Sequence, residues 1–260
     1  DEIKKLRMKN SIYKKILSNR EKGQKLIAVL LDPDCCKDAH LTNIVSLLKT
    51  HTPDFVFVGG SHINTSIDTL IDILKKELTV DVVLFPGNAN QFTKNADALL
   101  FLSLLSGRNA EFLIGQHVNS AKSIKDTGIE VIPTAYLLVD GGKTSSVAYM
   151  SNTMPIPRDK NEIALSTAIA GELLGMRLVY LEAGSGADFP VAADMIQTLS
   201  ANLSIPIIVG GGVKTTEQLK QAFDAGADLV VVGNAFETNP EKIADFIGFT
   251  QNYNVVKKTD

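Results

Sequence analysis

The chain has 260 residues, of which 45% are apolar, and a net charge of −3 from 26 Lys and Arg set against 29 Asp and Glu. That is ample for a large core, and the length suits an α/β barrel built as a single domain over residues 1–260. The acidic balance argues against a nucleic-acid platform, which needs a clustered basic surface, so no nucleic-acid partner is expected.

The two cysteines, Cys35 and Cys36, are adjacent and cannot staple distant parts of the chain, which fits a reducing compartment. No apolar run approaches the roughly 20 residues needed to span a bilayer. The N-terminus carries no signal-peptide pattern, and the expected location is cytoplasmic. Any lipid substrate would be met at the membrane surface by transient contact.

In chain order, residues 2–22 are rich in Lys, with Ile3, Leu6, Ile12, Ile16 and Leu17 at helical spacing. They predict an amphipathic helix ahead of the core fold. Its basic outer face reads as solvation, with a membrane-surface role as the alternative. Short apolar runs then alternate with helical patterns. Strands are predicted over 27–31, 55–58, 82–85, 98–102, 131–134, 178–181, 205–209 and 229–232. Their apolar runs are continuous, as in parallel strands covered on both faces. Thr215 and Gln218 form a capping box, and Pro190 and Pro240 sit near first helical turns. Eight βα units predict a (β/α)8 TIM barrel.

Two intervals depart from the regular pattern. Only twelve residues, 86–97, separate the third and fourth strands, too few for a barrel helix with its loops. The barrel is therefore predicted to be modified, with the third helix missing or reduced, leaving a thin wall and a groove. Residues 135–160 are the opposite, a long insertion after strand five with Gly141-Gly142 and Pro155-Ile156-Pro157. Long loops on this side of a barrel serve as lids or binding loops.

The stretch Tyr180-Leu181-Glu182-Ala183-Gly184-Ser185-Gly186 concentrates the chemistry. Side chains alternate along a strand, so Tyr180 and Glu182 share one face while Val179 and Leu181 take the other. A carboxylate at a strand exit is followed by glycines whose N–H groups an anion can approach. Gly210-Gly211-Gly212 and Gly233-Asn234 repeat the style on the next two strands, where barrels bind phosphate. Asp32 ends strand one and Ser61 follows Gly59-Gly60 after strand two. With no His or Cys partner they read as oxygen ligands for a hard cation such as Mg2+. Asp34 suits a helix N-cap or turn. His40, His51, His62 and His117 are scattered and read as structural. Asp140-Gly141 reads as a turn, and Arg108 and Lys143 as surface cations more readily than as anion ligands.

With these motifs in family order across nearly the whole chain, the sequence resembles the geranylgeranylglyceryl phosphate synthase family, which includes bacterial heptaprenylglyceryl phosphate synthases. The resemblance rests on Leu31-Asp32-Pro33-Asp34, Val58-Gly59-Gly60-Ser61, Pro133-Thr134-Ala135-Tyr136, the 180–186 stretch, Val209-Gly210-Gly211-Gly212-Val213 and Val232-Gly233-Asn234. It implies transfer of a prenyl group from a prenyl diphosphate, such as geranylgeranyl diphosphate, to the C3 hydroxyl of sn-glycerol 1-phosphate, with Mg2+. It further implies Mg2+ on Asp32 and Ser61, and glycerol phosphate on Tyr180, Leu181, Glu182, Ala183, Gly184, Ser185, Gly186, Gly211, Gly212, Gly233 and Asn234. Glu182 would be the base, and Tyr136 would face the prenyl chain near its reactive carbon. The tail would lie in a groove by the reduced third unit, along Phe85, Leu102 and Leu104. A homo-oligomer is expected, as for most barrels of this size.

Two other readings remain open at this point. One is a sugar-phosphate isomerase or cyclase, although strand five lacks the acid those enzymes commonly carry. The other is a glycerol-phosphate sensor acting on RNA, against which the absence of a basic stripe speaks.

Overall fold

The computed structural model describes residues 11–61 and 63–257. The predicted helix at 2–22 therefore falls partly outside the described residues, and His62 lies outside them. The rest of that helix is α1, Ser11–Glu21. Eight parallel strands follow in sequence order and close on themselves, β8 pairing with β1. They are β1 (Leu26–Leu31), β2 (Phe55–Val58), β3 (Asp81–Leu84), β4 (Ala98–Leu104), β5 (Glu130–Leu138), β6 (Leu178–Glu182), β7 (Ile207–Gly210) and β8 (Leu229–Val232). All eight were placed by the apolar runs. The largest difference is β5, which runs past the predicted end at Thr134 to Leu138, so Tyr136 stands inside the strand rather than after it.

Between them lie α2 (Asp38–Thr50), α3 (Ile67–Glu77), α4 (Gln116–Thr127), α5 (Ser146–Ser151), α6 (Asn161–Leu173), α7 (Ala193–Ser200), α8 (Thr216–Asp224), α9 (Asn234–Thr238) and α10 (Lys242–Val256). A π-helical turn, Glu111–Gly115, runs straight into α4. No helix joins β3 to β4, as the short interval requires, and only Val83 and Leu84 of β3 pair with β4. No described helix is long and apolar enough to cross a membrane.

Strand alternation sorts the core into two layers. Val29, Val56, Val82, Val179, Leu181, Val209 and Val230 face outward and pack under the helices. Ala28, Phe55, Phe57, Val83, Ile132, Leu178, Tyr180, Ile208 and Val231 face inward and fill the barrel. Ile12 and Ile16 of α1 belong to the inner group, so α1 is the floor plug of the barrel. Its start is gripped by the buried Glu130, whose carboxylate accepts the Ile12 and Tyr13 N–H groups at 2.9 Å each. These first-turn donors have no helical acceptor, and an anion there also meets the positive end of the helix.

Glu130→Ala strips one buried and one part-buried N–H group of their acceptor and should cost roughly 2–4 kcal/mol of stability. Urea unfolding checks this; a midpoint unchanged from the unaltered protein would show that Glu130 does not hold the plug.

Candidate active site

At the open end of the barrel, β6 delivers Glu182 inward with only 6% of its surface exposed. Oε1 accepts the Gly184 N–H at 2.6 Å. Burial raises the Glu182 carboxyl to about 7, and the Gly184 N–H and the neighbouring Tyr180 hydroxyl only partly oppose this. The Tyr180 hydroxyl lies beside the carboxylate yet makes no hydrogen bond of normal geometry to any described residue. Burial first, and the Glu182 charge second, hold the Tyr136 and Tyr180 phenols well above their usual range, so both stay protonated.

The turn after β7 crowds the same carboxylate. Gly211 has φ +80°, and a Cβ there would fall 2.4 Å from Glu182 Oε1, so only glycine fits. The Gly184 N–H is spent on Glu182. By contrast, the N–H groups of Ser185, Gly186, Gly211, Gly212 and Gly233 have no acceptor among the described residues. They border one open cavity of about 990 Å³, solvent included, with Tyr180, Glu182 and Asn234 in its wall.

Across that cavity stand Asp32 and Ser61. The Gly59 N–H donates to the Leu31 carbonyl, joining the ends of β1 and β2. A Cβ on Gly59 would lie 1.8 Å from the Phe85 carbonyl oxygen, so the loops after β2 and β3 interlock there. Asp32 accepts the Asp34 N–H at 2.8 Å through Oδ1, and burial pushes its carboxyl up. Glu237 of α9 shares the wall; burial and then the Asp32 charge raise it too. No Lys or Arg forms an ion pair with Asp32 or Glu237 among the described residues. A carboxylate with a hydroxyl neighbour and no cation suits a hard divalent ion that keeps water and phosphate ligands. No described group of three or more His, Cys, Asp or Glu could form a closed metal site.

A second cavity, of about 850 Å³ with its open mouth, begins where the first ends. Gly60, Ser61, Phe85, Tyr136 and Val147 line both. Beyond this junction the walls turn apolar. Leu102 and Leu104 are there as expected, joined by Leu99, Phe101, Phe92, Phe112 and Ile124. Leu99 and Phe101 point outward from β4, so the channel passes over the barrel wall into the space a third helix would fill. Aromatic rings mark its entrance: Phe85 stacks on Tyr180 at 4.9 Å and tilts against Tyr136 at 6.0 Å.

The insertion after β5 closes over both cavities. Gly141 O accepts the Asp188 and Phe189 N–H groups, pinning the insertion to the 184–189 turn. The short helix α5 is capped by Ser145, which accepts the Ala148 N–H. Val147 and Met150 of α5 roof the apolar channel.

The comparisons with known proteins agree with this geometry. The model of the PcrB family matches residues 19–250. The chain is 46% identical to a geranylgeranylglyceryl phosphate synthase of Chitinophaga pinensis over 92% of this chain and 95% of that protein. It is 40% identical to one of Korarchaeum cryptofilum over 86% of this chain and 93% of that protein. The solved (S)-3-O-geranylgeranylglyceryl phosphate synthase of Thermoplasma acidophilum, in complex with sn-glycerol-1-phosphate, superposes with a TM-score of 0.86 at 33% identity. That match covers 93% of this chain and 98% of that one.

The chain belongs to the PcrB family. It is a prenyltransferase of the geranylgeranylglyceryl phosphate synthase type.

In this PcrB-family chain most predicted site residues converge on the two cavities. Leu181, Ala183 and Gly184 do not: strand alternation turns the Leu181 and Ala183 side chains into the layer under the helices, and the Gly184 N–H is taken by Glu182. Asp34 is a turn residue, one of the two expected roles, and not a helix cap, since α2 begins at Asp38 after Lys37. Hydrogen bonds from Thr65 and Asn64 tie Asp34 to the loop after β2 and hold its carboxyl down at about 2. His117, read as structural, is buried with Nε2 3.1 Å from Ser103 Oγ, and it also lines the channel. Burial lowers its pKa, so the ring is neutral at pH 7. Glu237, Lys214, Val147 and Met150 went unnoticed in the sequence. Glu237 alone left a trace there, three residues past Asn234 on the predicted phosphate turn.

The raised Glu182 pKa ties function to stability. The fold accommodates a neutral Glu182 at less cost than an ionised one, so its contribution is complete below about pH 4.5 and lost as pH rises through about 7. Glu182→Gln should therefore be more stable than the unaltered protein at pH 8, by roughly 2–3 kcal/mol, with the gap closing towards pH 4.5. Thermal melts across that range decide; a constant gap would show that Glu182 titrates normally.

Proposed function

We propose that this chain joins a prenyl group, from a prenyl diphosphate such as geranylgeranyl diphosphate, through an ether bond to the C3 hydroxyl of sn-glycerol 1-phosphate. The observation that carries this is the junction at Ser61, Phe85 and Tyr136, where a polar cavity with free backbone donors opens into an apolar channel. A small phosphate ester suits the first compartment and a hydrocarbon tail the second, with the reacting atoms between them. The solved Thermoplasma acidophilum relative holds sn-glycerol-1-phosphate.

In this reading the phosphate is held by the open N–H groups of Ser185, Gly186, Gly211, Gly212 and Gly233, with Asn234 beside them. Tyr180 donates its unpartnered hydroxyl to the bound ester. Glu182 accepts the proton of the C3 hydroxyl as that oxygen attacks the first carbon of the prenyl chain. The carbon–oxygen bond to diphosphate breaks, and diphosphate departs with its electron pair. A base with a pKa of about 7 is matched to that task at neutral pH. Tyr136 and Phe85 wall the reacting carbon off from water. Asp32 and Ser61 would hold Mg2+, which supplies charge neutralisation for the leaving diphosphate.

The channel gauges the tail. Its wall descends α4 from Gln116 and His117 through Ser120 to Ile124. From Phe112 to Ile124 the helical path is roughly 18 Å.

Incubating the protein with Mg2+, labelled sn-glycerol 1-phosphate and geranylgeranyl diphosphate should yield a lipid-soluble ether. Glu182→Gln should lower turnover by about 10²-fold or more while leaving the Kd for glycerol phosphate within about threefold; full activity in the variant would remove Glu182 from the mechanism. Ser120→Phe should move the preference to shorter prenyl diphosphates, read from product chain lengths. An unchanged preference would place the tail elsewhere.

A further inference from the structure

The polar cavity is electrostatically ill-suited to a phosphate dianion on the residues assigned so far. Its wall carries the carboxylates of Asp32, Glu182 and Glu237 against one cation among the described residues, Lys214. Even with a divalent ion at Asp32, the glycine turns that would hold the phosphate have only Lys214, two residues past Gly212, as a cation in the cavity wall.

Lys143 lies just outside that wall. A Cβ built on Gly186 would sit 3.5 Å from Lys143 Nζ and 3.5 Å from Asn234 Oδ1, so the ammonium stands over the glycine turn and next to the β8 turn. Its backbone is held there. Asp140 Oδ1 accepts the Gly142 N–H, the Gly141 carbonyl takes two N–H groups from the 184–189 turn, and a Cβ on Gly142 would meet the Phe189 ring at 2.9 Å. The other end of the segment is as close: a Cβ on Gly184 would fall 2.7 Å from Ser145 Cβ. Lys143 makes no salt bridge or side-chain hydrogen bond with any described residue. A cation with no partner of its own is thus carried by a braced segment to the edge of the five open N–H groups.

We infer that Lys143 is a substrate-binding residue, the cationic clamp that closes on the phosphate of glycerol phosphate from the insertion side. This rests on the proposed function and extends it. The clamp acts on the bound ester and does not touch the reacting atoms, so its removal shows in binding and not in the chemical step. The ammonium is exposed, so its effect is moderate and screened by salt.

The test is calorimetric binding of sn-glycerol 1-phosphate and of inorganic phosphate, with steady-state kinetics, for the unaltered protein, Lys143→Met and Lys143→Arg. Lys143→Met should weaken both ligands by about tenfold, raise KM for glycerol phosphate by a similar factor, and lower kcat much less. The loss should shrink as ionic strength rises. Lys143→Arg should recover most of the affinity, and melting temperatures should stay together because the side chain is exposed and makes no salt bridge or side-chain hydrogen bond with a described residue. Equal Kd values for Lys143→Met and the unaltered protein, or a loss confined to kcat, would overturn the role of Lys143 alone. Failure of the unaltered protein to bind glycerol phosphate would overturn the functional reading, and this inference with it.

Discussion

The site depends on one costly burial, that of the Glu182 carboxyl at the end of β6. Most carboxylates in this chain face water or are paired. Glu182 is shut among Tyr180, the Gly184 backbone and the Gly210–Gly212 turn, and one N–H is its only settled hydrogen bond. Each neighbour follows from this. Glycine stands at 211 because a side chain there would strike the carboxylate. The Tyr180 ring is held flat against Phe85, which brings its hydroxyl beside the carboxylate. The result is a proton acceptor poised near neutral pH, built from strand alternation and close backbone approach.

The second constraint is an omission. Dropping one helix from a TIM barrel would normally expose the outer faces of two strands. Here the π-turn and α4 fold towards the gap with Phe112 and Ile124, and the loop after β3 contributes Phe92. These cover Leu99 and Phe101 without filling the space between, which turns a missing wall into a channel. The plug at the other end makes this affordable: α1, clamped by Glu130, closes the floor, so the barrel interior stays packed while its flank is open.

Much of this was legible in the residues. Continuous apolar runs located all eight strands, and the twelve residues between β3 and β4 announced the missing helix. Glu182, Asp32, Ser61 and the glycine turns could be picked out because strand ends and paired glycines leave a local signature. What stayed hidden was set by partners distant in sequence. Asp34 sits in a turn as one of its two readings had it, but its bonds to Thr65 across the loop had no local sign. His117 looked idle and lines the channel. Lys143 looked like a solvated cation, and only the bonds from Gly141 to Asp188 and Phe189 bring it over the phosphate turn. Leu181 and Ala183 fell within a motif whose alternate members point away. Fold alone would not have chosen among barrel chemistries; the apolar channel beside the polar cavity separates this site from a sugar-phosphate isomerase.

The central claim is that the Glu182 carboxyl is neutral over much of the acid range and ionises near neutral pH in the free protein. Isotope-edited infrared titration compares the carboxyl bands of the unaltered protein with those of Glu182→Gln and isolates this one group. A midpoint near 7 is the predicted result. A midpoint in the ordinary glutamate range, near 4.5, would contradict it.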